Sequence, residues 1–128
     1  MTPIAEQLAK LKQSYPAATG TALPSGAFLV DVPDYKLPAG WNRDIVTVSF
    51  LAPVGYPAAR PDCFWVDQPF LRLANGQAVP QASNEQNPIP EVGLRGTWFS
   101  WHVQSWDPNK DSLLTYLNVI KRRLETVA

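Results

Sequence analysis

The sequence predicts an α+β domain, with one helix at each end of the chain and antiparallel strands between them. Three observations predict it. Ile4, Leu8, Leu11 and Tyr15 recur at the spacing of one buried helix face. From Ile45 to Leu51, Val46, Val48 and Phe50 alternate with Thr47 and Ser49, the period of a half-buried strand. Leu113, Leu117, Ile120, Leu124 and Val127 form a second helical stripe. No repeat or composition shift divides the 128 residues, so residues 1–128 are expected to make one layered domain.

The elements follow in order. Residues 3–14 read as a helix, with Thr2 as its cap and Pro3 in the first helical position. Pro16 and Gly20 end it, and residues 16–26 read as a loop. Ala27–Val32 is a strand closed by Pro33. Residues 35–43 carry Pro38, Gly40 and Asn42 and read as a turn region. Pro53, Gly55 and Pro57 close the strand at 45–51, and Cys63–Val66 is a short aromatic strand. Ala74-Asn75-Gly76-Gln77 carries the Asn-Gly signal of a tight turn.

Residues 80–96 contain Pro80, Pro88, Pro90, Gly93 and Gly96 and read as one long loop, of a length that usually goes with function. Residues 97–106 follow, then a turn at Asp107-Pro108-Asn109. The second helix spans residues 112–126, capped by Asp111 or Ser112. Lys121, Arg122 and Arg123 are expected to be a solvated helix end that complements the helix dipole. Tyr35, Trp41, Phe50, Phe64 and Trp65 are expected to be packing aromatics.

Composition narrows the function. Hydrophobic residues make up 45% of the chain, so it is expected to be globular. Lys+Arg and Asp+Glu both number 11, and this balance argues against nucleic acid as a partner. No apolar run is long enough to span a membrane. The first residues lack the basic and apolar regions of a signal peptide. Cys63 is the single cysteine and His102 the single histidine, so neither an internal disulfide nor a metal site is expected. A cytoplasmic location follows, and no cofactor is expected.

The stretch "FSWHVQSWDP", residues 99–108, holds the histidine and two of the five tryptophans. If it is extended, Phe99, Trp101 and Val103 share one face, and Trp98, Ser100, His102, Gln104 and Trp106 share the other. Ser100 and His102 then point the same way, roughly 6.6 Å apart along the strand, too far for a straight hydrogen bond. A serine hydroxyl needs a general base to become a nucleophile, and histidine is the base that works near neutral pH. Spacing alone leaves two readings open: a nucleophile with its base, or a satisfied strand histidine beside a spectator serine.

Two motifs carry a family resemblance. "YPAARPDCFW", residues 56–65, resembles the Tyr-Pro-x-x-x-Pro-x-x-x-aromatic signature of ubiquitin-conjugating (E2) enzymes through Tyr56, Pro57, Pro61 and Trp65. "WDP", residues 106–108, resembles the Trp-x-Pro that follows the E2 active-site stretch. The order of helices and strands agrees from about Pro3 to Leu124. The chain resembles in particular the bacterial E2/UBC-like proteins called prokaryotic E2 family E, in which a histidine follows the active-site position, as His102 does here. The resemblance implies a UBC-like fold with an N-terminal helix, an antiparallel β-meander and a C-terminal helix. It implies two partners, a ubiquitin-like protein and an E1/ThiF-like adenylyltransferase, with a JAB-type protease in the gene neighbourhood. It also implies that Glu6, Lys10 and Lys12 on the first helix face the E1-like partner; read alone, they are a wet helix face.

The same resemblance exposes a departure. An E2 carries its cysteine about eight residues before the Trp-x-Pro tryptophan, and that count leads to Trp98. The His-Pro-Asn triplet is absent, although Asn84 and Asn87 lie in the preceding loop. Three expectations follow. A hydroxyl replaces the thiol and carries the ubiquitin-like C-terminus as an oxyester, Ser100 first and Thr97 second, with His102 as base or orienting group. Alternatively, the chain is a catalytically inactive E2 variant that only binds its partners. In the third, Cys63 is the nucleophile.

Overall fold

The computed structural model describes residues 4–61, 63–66, 71–77, 82–83, 97–99 and 105–125. The first helix, α1, is Ile4–Ser14, and the last, α2, is Leu113–Leu124. Between them run β1 (Thr19–Ala22), β2 (Phe28–Lys36), β3 (Ile45–Ala52), β4 (Phe64–Val66), β5 (Ala82–Ser83) and β6 (Thr97–Phe99). They form one antiparallel sheet in the order β1-β2-β3-β4-β6-β5. The first four strands are a meander, and β6 enters between β4 and β5. The α+β class is thus observed, with a helix at each end.

Alternation assigns the two faces. Val30, Val32, Val48, Phe50, Phe64, Val66, Thr97 and Phe99 are buried on the helix side. They pack with Leu11 of α1 and with Leu113, Tyr116, Leu117, Ile120 and Leu124 of α2, except that Thr97 adds a hydroxyl to this apolar set. Across the strands, Val30 pairs with Phe50, Phe50 with Phe64 and Phe64 with Phe99. The Phe64 and Phe99 rings stack at 4.6 Å, and Tyr116 tilts over Phe50 at 5.2 Å. The other face holds a smaller cluster, Leu29 and Trp65, with Leu23, Leu51, Cys63 and Trp98 around it. On that face Ser49 donates its hydroxyl hydrogen to Asp31 at 2.6 Å.

Three segments differ from their sequence reading. Residues 16–26 are not all loop: Thr19–Ala22 pairs with Phe28–Asp31 as an edge strand. Its small, polar residues lack the apolar alternation that marks a strand, because most of it is exposed. The second strand does not stop at Pro33. A register shift lies between Val32 and Tyr35, with Asp34 in the left-handed region at φ 57°, and pairing resumes at Tyr35 and Lys36. Within the segment 80–96, Ala82–Ser83 pairs with β6. The expected cap Thr2, the first helical position Pro3, and Val127 lie outside the described residues.

Gly20 has a packing role. A methyl group there would run into the Phe28 ring and the Leu8 side chain, so the absent side chain is what lets α1 and β2 close over the edge strand. Gly20→Ala is expected to lower stability by about 1–3 kcal/mol, the usual range for overpacking. Urea unfolding checks this.

Candidate functional site

The site segment begins at β6. Thr97 and Phe99 point into the helix-side core and are fully buried, while Trp98 lies half-buried on the other face. The alternation expected for this stretch is therefore observed over residues 97–99. The Thr97 Oγ1 accepts the Leu71 N–H at 3.2 Å, which binds the 71–77 segment to the sheet. A hydroxyl with no exposed surface has no face on which a protein C-terminus can approach it. Ser100 and His102 lie outside the described residues.

The segment ends at Trp106, whose anchoring is well defined. Its indole N–H donates to the Pro57 carbonyl at 2.7 Å, and its ring lies 5.9 Å from that of Tyr56. The Tyr56 hydroxyl in turn donates to Gln7 Oε1 at 2.6 Å. Burial, aided by the nearby Asp111 charge, raises the Tyr56 pKa, so this hydroxyl keeps its proton. The same Gln7 oxygen accepts the N–H of Leu113, the first residue of α2, at 3.0 Å. That N–H has no partner within its own helix, so a side chain from α1 supplies one. The Ser112 N–H is met by Thr115 Oγ1 at 2.9 Å. Before it, Asp111 accepts the Asp107 N–H at 2.7 Å and Asp107 accepts the Asn109 N–H at 2.9 Å, which builds the predicted turn.

A second polar group supports the start of the segment from behind. Arg123 was expected in solvent, yet it is 2% exposed. Its guanidinium lies 5.1 Å from the Phe99 ring centroid and 6.0 Å from that of Trp41. Burial lowers its pKa from the ordinary arginine value. The position falls three residues after Ile120 and seven after Tyr116, on the buried stripe, so the helix carries it inward. Lys121 and Arg122 are exposed as expected.

Cys63 is half-buried beside the Leu29–Trp65 cluster, on the same face as Trp98. Among the described residues no three His, Cys, Asp or Glu side chains gather as a metal site would require. An open groove of about 370 Å³ lies between α1 and the turn after β3, lined by Ile4, Ala22, Gly26, Phe28, Pro53 and Tyr56 among others. Its lining is mostly apolar, and among the described residues Tyr56 is the one titratable group on it. The described lining residues offer no general base near neutral pH.

A helix, a four-strand meander, a Tyr-Pro turn held by the Trp-x-Pro tryptophan and a following helix now stand together. The sequence model of prokaryotic E2 family E matches residues 11–127, nearly the whole chain. The chain belongs to prokaryotic E2 family E. No curated protein and no solved structure matches it. Membership gives this E2-family chain an E2-like role in a conjugation pathway. Where an E2 would carry its cysteine, by the count from Trp106, this family member carries Trp98, half-buried and paired with Trp65. No helix among the described residues is long and apolar enough to cross a membrane.

Sequence reasoning missed Gln7 and Arg123. Both signals were present, because Gln7 lies three residues after Ile4 and four before Leu11, on the apolar stripe of α1.

Proposed function

We propose that this chain carries the C-terminus of a ubiquitin-like protein as an oxyester on Ser100, with His102 as the base. An E1/ThiF-like adenylyltransferase in the cytoplasm would supply the activated C-terminus. The observation that carries the reading is the alternation along β6 in a chain of this family. Thr97 and Phe99 face the core and Trp98 faces away. Were the strand to continue with the same period, Ser100 and His102 would fall on the side of Trp98. The buried, hydrogen-bonded Thr97 favours Ser100 as the hydroxyl.

The chemistry balances. The serine oxygen attacks the thioester carbonyl of the charged E1-like enzyme, its proton passing to His102 as the C–O bond forms. The C–S bond breaks, and the thiolate leaves with a proton returned from the imidazole. In the second transfer an amine attacks the ester, the C–O bond breaks and the serine recovers its proton. An ester is less activated than a thioester, so the step depends on the base and on donors to the oxyanion.

Cys63 is the second reading. Phe64 pairs with Phe99 and Trp65 with Trp98, and Cys63 directly precedes this paired stretch. The thiol also shares the face of Trp98.

The test mixes the protein with the E1-like enzyme, ATP and the ubiquitin-like protein. We expect an adduct on a denaturing gel that survives thiol and is cleaved by hydroxylamine. Ser100→Ala abolishes it, Cys63→Ala does not, and His102→Gln slows its formation about 10²–10⁴-fold. A thiol-labile adduct lost in Cys63→Ala moves the nucleophile to Cys63. No adduct, together with binding of the ubiquitin-like protein, leaves an inactive E2 variant that acts as a binder.

A further inference from the structure

Gln7 sits where an apolar residue would serve α1 at lower cost. It is 3% exposed, on the stripe of Ile4, Leu8 and Leu11. Burying an amide there is favourable only because it is hydrogen-bonded. Its Oε1 accepts from Tyr56 and from Leu113, residues from two distant parts of the chain. Tyr56 and Pro57 then hold Trp106, by ring contact and by the indole hydrogen bond. Trp106 follows His102 by four residues in the sequence. One amide oxygen on α1 therefore stands at the head of a short chain of contacts that ends at the trailing anchor of the transfer segment. On the outer side of the same helix turn, Glu6 and Lys10 are exposed.

We propose that Gln7 is a positioning residue: through Tyr56 it sets Trp106, and through Trp106 the trailing end of the acyl-transfer stretch. The transfer half of this proposal rests on the carrier reading above. Misplacing a reacting group by about 1 Å can cost on the order of 10²-fold in rate, so a loosened anchor has a measurable consequence. Gln7→Leu removes the acceptor and keeps the bulk. Gln7→Glu keeps an acceptor oxygen in place for both donors.

The experiment has two readouts. The first is the Trp106 indole N–H resonance in ¹⁵N-labelled protein, assigned by its loss in Trp106→Phe. The second is the rate of adduct formation against the concentration of the E1-like enzyme. Gln7→Leu is expected to move the resonance and to lower the maximal rate about 10–100-fold, with less than about a twofold change in the half-saturating concentration. Gln7→Glu restores the resonance and most of the rate. An unmoved resonance overturns the proposal, as does a change confined to the half-saturating concentration, which would make Gln7 part of partner docking. If Gln7→Leu does not fold, Tyr56→Phe removes only the hydroxyl and takes both measurements. If the unsubstituted chain forms no adduct, the carrier reading and the transfer half fall together. The resonance then decides separately whether Gln7 sets Trp106.

Discussion

Phe99→Ala lowers the stability of this fold by about 3–5 kcal/mol, the range for deleting a buried phenylalanine ring. The ring is fully buried, stacked 4.6 Å from Phe64 at an interplanar angle of 7°, and met edge-on by Trp41 at 6.4 Å. It also faces the Arg123 guanidinium at 5.1 Å. Removing it leaves a cavity that β4 and α2 cannot both collapse into, and it takes one aromatic face from a charge with little access to water. The Trp98→Ala change, one residue earlier on the half-buried face, costs less. Urea unfolding is the measurement: the midpoint falls far more for Phe99→Ala, with the slope unchanged if the denatured states are alike. Equal midpoints for the two variants would contradict the burial pattern of β6.

Trp41→Ala is the second large effect, also about 3–5 kcal/mol. Trp41 is buried, its backbone bridges to Leu73, and its indole N–H donates to the Leu124 carbonyl at 2.9 Å. Leu124 is the last residue of α2, so that carbonyl has no partner within its helix. Two losses combine in alanine: the packed ring and the donor. Trp41→Phe separates them. It keeps most of the ring contact and leaves the carbonyl without its donor, for a cost of about 1–3 kcal/mol. Thermal unfolding of both variants, compared with hydrogen exchange at the end of α2, tests the division. The Phe variant should increase exchange in that last turn.

The parts legible in the sequence were those with a strong period or a strong breaker. Both helices show their apolar stripes, β3 shows strict alternation, and the Asn75-Gly76 turn forms with Gly76 at φ 85° and the Gln77 N–H donating to Asn75 Oδ1. The edge strand β1 was not legible, because a strand whose residues face solvent needs no apolar alternation. The continuation of β2 past Pro33 was hidden by a proline that usually ends pairing, which the Asp34 bulge accommodates. Arg123 turns inward because its position on the helix outweighs its charge, and Gln7, to which the sequence reading assigns no role, is buried by its place on the apolar stripe. For the candidate site, the Tyr-Pro and Trp-x-Pro motifs led to the Tyr56–Trp106 anchor. They could not show that a glutamine on α1 holds it, because that contact joins residues 49 positions apart.

The strand order has a consequence for synthesis. β6 pairs directly with β4, yet residues 67–96 lie between them in the chain. A ribosome adding about 5–20 residues per second delivers β4 some seconds before its partner. During that interval Phe64-Trp65-Val66 is an apolar edge with its pairing groups open, the kind of template on which nascent chains associate. β5 emerges before β6 but, among the described strands, borders β6 and not β4, so it does not close that edge. The yield of native protein is thus tied to how quickly translation reaches Phe99.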